Sequence, residues 1–336
     1  MTGDALVAAA ALHTDRPLPV VVRPVVPGVD LAQWATGHRD TVEDHLHTAG
    51  AVLFRGFGLR EPAEFEGFFA ALYPRLVTEH ERSSPRHRVS GNVFTSTDHP
   101  SDQAIFLHNE MSYSQTWPMR LGFFCVTSAD SGGETPVADT REVLRALPAN
   151  LRRRFAEKGV MYVRNYGDGF GLPWQESFQT RDRAEVERYC LANGLVAEWK
   201  DGGRLRTRRT APATARHPVT GAAVWFNHAT FFHVSTLEPV LRDTLTTELA
   251  PDDLPTNSFY GDGSDIEPDV LDELRAAYRR ASVAFPWQVG DVLVIDNMLV
   301  SHGRAPFTGR RRVVVAMAEP IPERDAADGS SAAPAR

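Results

Sequence analysis

Gly290-Asp291-Val-Leu-Val-Ile-Asp296-Asn297-Met-Leu-Val-Ser-His302-Gly303-Arg304 reads as a turn, a buried strand and a histidine placed where that strand gives out. The Gly-Asp pair makes the turn, and the unbroken apolar run after it has the length and branching of a strand covered on both faces. Ten residues beyond His302, Arg312-Val-Val-Val-Ala-Met begins another such strand. A guanidinium inside a barrel needs an anionic partner, because an unpaired buried charge costs several kcal/mol. A strand carrying a histidine beside a neighbour carrying an arginine is therefore suited to a metal and a carboxylate held side by side.

Outward from this stretch the chain alternates short strands with a few helices. Ala51 to Arg55, Ile105 to Leu107, Arg120 to Thr127, Val160 to Asn165, Ala223 to Phe226, Val283 to Phe285 and Val313 to Met317 read as strands. Asp30 starts one helix running to His47 with Gly50 beyond it, and Glu61 to Leu72 forms another with Phe65, Phe68, Phe69 and Leu72 on one face. Asp139 or Thr140 caps a third, which Pro148 stops. Many short strands with Gly and Pro turns point to a mainly β fold with helical decoration, a jelly roll. No repeat or linker divides the chain, so residues 18–323 are expected to form one domain, with 1–17 and 324–336 as flexible tails.

Composition bounds the function. The 336 residues carry a net charge of −7, which argues against nucleic-acid binding, since phosphate neutralisation needs a concentrated basic face. No apolar run is long enough to cross a membrane, and the N-terminus lacks the basic start of a signal peptide, so a cytoplasmic protein is expected. Cys125 and Cys190 read as reduced core residues. Arg204, Arg206, Arg208 and Arg209 read as an exposed hairpin of ordinary surface charge.

His108-Asn109-Glu110 supplies the other half of a metal site. On an extended strand, residues two apart project from one face, so His108 and Glu110 with the distant His302 can fill three corners of a coordination sphere. Two imidazoles and one carboxylate are the ligand set of non-haem ferrous oxygenases. His13-Thr14-Asp15 and His38-Arg39-Asp40 match the same short pattern. His38 and Asp40 fall within a helix, where positions two apart face away from each other. His13 lies in the N-terminal stretch expected to be flexible.

Leu107-His108-Asn109-Glu110-Met-Ser-Tyr113, Gly132-Gly133-Glu134-Thr135-Pro-Val-Ala-Asp139, Gly290-Asp291 through Asp296-Asn297, His302-Gly303-Arg304 and Arg312, in this order and spacing, resemble the taurine-dioxygenase-like (clavaminate-synthase-like) family of ferrous iron and 2-oxoglutarate-dependent oxygenases. The resemblance spans about residues 50–320 and implies a double-stranded β-helix, cupin-like, with His108, Glu110 and His302 as iron ligands. It also implies that Arg312 and Thr135 hold the distal carboxylate of 2-oxoglutarate, with Arg311 taking that part if the register slips by one. Taurine dioxygenase has a second arginine four residues after the first, for its sulfonate; this chain has Ala316 there, so a sulfonate substrate is not expected.

A closer likeness is to the syringomycin-type amino-acid hydroxylase branch of antibiotic pathways. It rests on Ser84-Pro85-Arg86, Thr95-Ser96-Thr97, Trp117-Pro118, Val224-Trp225-Phe226-Asn227 and Phe232-His233. That branch implies oxygen-dependent hydroxylation of an unactivated carbon in an amino acid, free or tethered to a carrier protein, with 2-oxoglutarate going to succinate. Halogenases of this fold replace the carboxylate ligand by a small residue, and Glu110 is intact. Desaturation, epoxidation, ring formation or another small carboxylate substrate are the alternatives. Arg86, Asn92, Thr97, Phe226, Asn227 and Arg304 are the expected substrate-side residues. The oligomeric state is not legible.

Overall fold

The computed structural model describes residues 6–77, 88–95, 99–167 and 172–326. Its largest sheet runs Val7–His13, Arg16–Pro24, Ala51–Phe54, Val292–Asp296, Thr116–Thr127, Arg312–Pro322, Val93–Thr95, Arg88–Ser90. Only the pairing of Arg16–Pro24 with Ala51–Phe54 is parallel. The second sheet is Ser282–Val283, Val137–Asp139, Val300–Arg304 and Ile105–His108. Chain-distant strands lie side by side in both, and the two sheets enclose one core, which makes the fold a jelly roll.

Period-two alternation assigns the two faces of the large sheet. Leu121, Phe123, Cys125, Leu293, Ile295, Val313 and Val315 point inward and meet Val137 and Val300 of the second sheet. Phe124, Val292, Val294, Val314 and Ala316 point outward under the helices Leu31–Gly37, Arg39–Ala49 and Pro62–Leu72, which contribute Trp34, Leu46, Phe65, Phe68 and Phe69. Gly122 lies where the last of these helices presses closest. A Cβ there would come within 2.7 Å of the Phe69 ring and 3.0 Å of Phe65. Both rings are fully buried and cannot give way. Gly122→Ala is therefore expected to cost about 1–3 kcal/mol by overpacking, read as a lower urea midpoint at unchanged m-value.

Several expectations hold and several are corrected. Asp30 caps its helix by accepting from the Gln33 N–H at 2.9 Å, and Gly50 ends the next with φ of 82°. The single helix expected over 30–47 is two, broken at His38, whose ring stacks on Trp34 at 4.8 Å. Residues 7–13 are a strand rather than a flexible tail. Alanine-rich sequence has little strand propensity, but Arg16–Pro24 offers an adjacent backbone edge and the segment hydrogen-bonds to it. Of the expected C-terminal tail, 327–336 lie outside the described residues. Val196–Lys200 and Arg204–Ala211 do form a hairpin, yet Arg206 and Arg209 are buried. Arg206 pairs with Asp253, and Arg209 reaches Glu323 at 2.6 Å and the Tyr113 carbonyl at 3.0 Å. Both cysteines are buried and neither is in a disulfide. Among the described residues no helix is long and apolar enough to cross a membrane.

Candidate metal centre and co-substrate pocket

Strand pairing brings the two histidines together. Ile105–His108 and Val300–Arg304 are antiparallel neighbours with His108 directly opposite His302, and the imidazole centroids lie 4.4 Å apart. His108 Nδ1 lies 2.9 Å from the Phe106 carbonyl. A carbonyl only accepts, so Nδ1 carries the proton and Nε2 keeps its lone pair for a metal. Glu110 Oε2 stands 4.0 Å from His302 Nε2, close enough for both to bind one ion through bonds of ~2.1 Å. Ligand atoms of all three residues lie within 4.8 Å of one another. Glu110 is not on the strand itself, which ends at His108; it sits in the following turn.

Beside this cluster opens a pocket lined by Phe123, Thr135, Arg304, Arg311, Val313 and Val315 as well as His108, Glu110 and His302. Here the structure places Arg311, the alternative, on the pocket rather than Arg312. Val313 and Val315 line the pocket, so alternation puts Arg311 on the same face and turns Arg312 away, where it is exposed. Arg311 Nε donates to the Gly133 carbonyl at 2.7 Å, and its Nη2 lies 3.4 Å from Thr135 Oγ1. Gly133 has φ of +74°, a conformation that suits glycine, and it aims that carbonyl at the guanidinium. Thr135 Oγ1 also accepts from Trp287 Nε1 at 3.1 Å, so its own proton remains to give. Burial, reinforced by the nearby Arg304 charge, pushes Arg311 down to about 10. Among the described residues no carboxylate forms an ion pair with it. A half-buried cation in that state suits an anionic ligand.

The remaining substrate-side expectations fare differently. Arg86 and Thr97 lie outside the described residues. Asn92 sits in the turn between Arg88–Ser90 and Val93–Thr95, where its N–H donates to Glu66 at 2.9 Å on the outer helix, away from the pocket. Phe226 is core, packed on Trp117 at 4.8 Å. Asn227 is buried and bonded to the Ala213 carbonyl at 2.6 Å and the Ala229 N–H at 2.9 Å. Arg304 does line the pocket. Its guanidinium donates to the backbone carbonyls of His99, Pro100 and Gln103 at 3.0, 2.5 and 2.9 Å.

Residues without a sequence signal also shape the site. Phe231 stacks on the His108 ring at 4.2 Å, and Phe123 packs on His302 at 5.0 Å. His228 is buried against Ser112 at 2.6 Å; burial, then the proximity of His108, holds it far below the usual imidazole range, and it stays outside the ligand cluster. Phe123 comes from the strand Thr116–Thr127, whereas Phe231 and His228 arrive from a loop, which a strand pattern cannot reveal.

A second group, His47, His217 and Asp296, also brings possible ligand atoms within 4.8 Å. Arg120 already fills it with positive charge, 2.6 Å from Asp296 Oδ2, while His217 Nε2 lies at 2.9 Å. It is an ion-pair hub built around the buried Asp296. Burial by itself raises the Asp296 carboxyl, but Arg120 and the His217 bond outweigh it and lower it to about 2, from 3.8. The folded state thus holds the deprotonated form more tightly than the unfolded chain. Its contribution, about 2 kcal/mol, is complete above ~pH 4 and lost as pH falls toward 2. Urea unfolding should show Asp296→Asn about 3 kcal/mol less stable at neutral pH, with the gap narrowing below ~pH 3.

Comparison with known proteins follows the same lines. The family model described as "Taurine catabolism dioxygenase TauD, TfdA family" matches residues 14–317. Dapdiamide synthesis protein DdaC of Enterobacter agglomerans is 41% identical over 280 residues, 83% of this chain and 85% of that protein. A clavaminate synthase-like protein of Arabidopsis thaliana is 29% identical over 323 residues, 91% and 94% of the two chains. The crystal structure of PvcB from Pseudomonas aeruginosa superimposes with a TM-score of 0.58 at 16% identity, covering 98% of this chain and 96% of that one. At that identity the likeness speaks for the fold alone.

Proposed function

The chain belongs to the TauD/TfdA family of dioxygenases, which use ferrous iron, 2-oxoglutarate and oxygen, and from that premise we propose that it hydroxylates an unactivated carbon of an amino acid, free or carrier-tethered, in specialised metabolism. The observation that carries this reading is the intact His108, Glu110, His302 cluster sharing one pocket with a half-buried arginine that forms no ion pair among the described residues. The 41% likeness to a dapdiamide synthesis protein supports the biosynthetic setting.

In this reading His108 Nε2, Glu110 and His302 hold the iron. Bound there with 2-oxoglutarate and oxygen, the metal supplies the oxidation that replaces a C–H hydrogen by hydroxyl, with succinate and carbon dioxide as coproducts. Arg311 grips the distal carboxylate of 2-oxoglutarate and Thr135 donates its free hydroxyl proton to it. Phe123, Val313 and Val315 make the walls of the pocket apolar, which strengthens that charged contact by keeping water away. With Arg311 as the gripping residue, the position four residues on is Val315, so the pocket still has no cation there for a sulfonate.

The test mixes anaerobic protein with ferrous iron and 2-oxoglutarate, admits air, and follows succinate. Free amino acids and amino acids loaded on a carrier protein are then compared by mass spectrometry. A gain of one oxygen on either supports the proposal; loss of two hydrogens identifies desaturation or ring closure instead. No charge-transfer band and no succinate would falsify the iron and 2-oxoglutarate chemistry itself.

A further inference from the structure

We propose that Asn297, locked in place by Asn109, is the positioning residue that sets the carboxylate ligand Glu110. The two histidines need no such help, because the strand ladder that pairs His108 with His302 fixes both. That ladder stops at His108, and Glu110 lies in the turn beyond it. Its backbone groups are nevertheless satisfied. Asn297 Oδ1 accepts from the Glu110 N–H at 2.8 Å, and Asn297 Nδ2 donates to the Glu110 carbonyl at 2.9 Å. One side-chain amide thus does what a neighbouring strand residue does when it exchanges both backbone bonds.

The bracket is held from the other side as well. Asn297 Nδ2 spends its second hydrogen on the Pro118 carbonyl at 2.8 Å, and its own backbone N–H donates to Met119 at 2.9 Å. Asn109 Nδ2 donates back to the Asn297 carbonyl at 2.6 Å and to Val300 at 3.2 Å. Val300 begins the strand that carries His302. The turn bearing Glu110 and the turn feeding His302 are therefore clasped by two amides whose four N–H hydrogens are all engaged. Both side chains are fully buried, so no water competes.

The inference rests on the family's iron chemistry and not on the proposed substrate, so its failure leaves the substrate reading untouched. Mn(II) binding to the full-length protein, followed by the EPR signal of free Mn(II), is the readout. Asn297→Ala is expected to weaken Mn(II) binding about 10–100-fold, the range for losing a group that orients a metal ligand. In a Glu110→Ala background the same change should alter the dissociation constant less than about twofold, because it acts through Glu110. Urea midpoints of the metal-free proteins separate this from loss of folding. If Asn297→Ala does not fold, Asn109→Ala carries the same cycle, since it leaves the Asn297 amide present but unlocked. Unchanged Mn(II) affinity in the folded variant, or an equal loss with and without Glu110, overturns the proposal.

Discussion

Glu110→Ala is expected to lower 2-oxoglutarate-dependent succinate formation by at least about a thousandfold, equivalent to about 4 kcal/mol. Of the three residues that converge on one point, Glu110 alone is anionic. Without it two neutral imidazoles remain, a set that binds a hard divalent ion less tightly and leaves its charge unneutralised. Alanine removes the ligand while leaving the backbone contacts of residue 110 with Asn297 available, so the fold is expected to persist with near-wild-type circular dichroism. Measuring succinate over a range of added ferrous iron separates weak metal binding from a metal that is bound but inert. Activity within tenfold of wild type at saturating iron would remove Glu110 from the ligand set.

The paired variants Arg311→Ala and Arg312→Ala should behave oppositely. Truncating one side of a buried charge pair costs about 2–5 kcal/mol, so Arg311→Ala is expected to raise the KM for 2-oxoglutarate about a hundredfold or more. Arg312 is exposed on the other side of its strand, and its loss should change KM less than about twofold. Arg311→Lys should recover only part of the loss, because an ammonium cannot match the two-pronged geometry of a guanidinium. The reverse pattern, with Arg312 sensitive and Arg311 silent, would show the strand register to be wrong by one residue.

That one-residue difference shows where sequence reading stops. The apolar run after Arg312 marks a strand, but because it is apolar at every position, alternation cannot say which face is which. Only the partner surfaces decide, with Val313 and Val315 against the inner core and Val314 and Ala316 under the helices. Asn227 and Phe226 show the same limit: both fit a pocket wall by residue type, yet the strand they follow delivers them into core packing and backbone hydrogen bonds. Phe231, which does stack on His108, carries no motif at all. Arg304 was legible as a residue near the site, but its partners are carbonyls of a loop some 200 positions earlier in the chain.

His108-Asn109-Glu110, His302 and an arginine near 312 were readable from the chain by itself, because ligand type, order and spacing are properties of covalent sequence, as is the strand and turn pattern that implies a jelly roll. Tertiary structure decided the rest. It set Arg311 rather than Arg312 on the pocket, turned an alanine-rich N-terminus into an edge strand, and supplied through Asn297 the backbone support for Glu110 that its own strand does not reach. The physical reason is common to all three: face, pairing and support are set by which distant segment packs alongside, and neighbours along the chain carry no record of that choice.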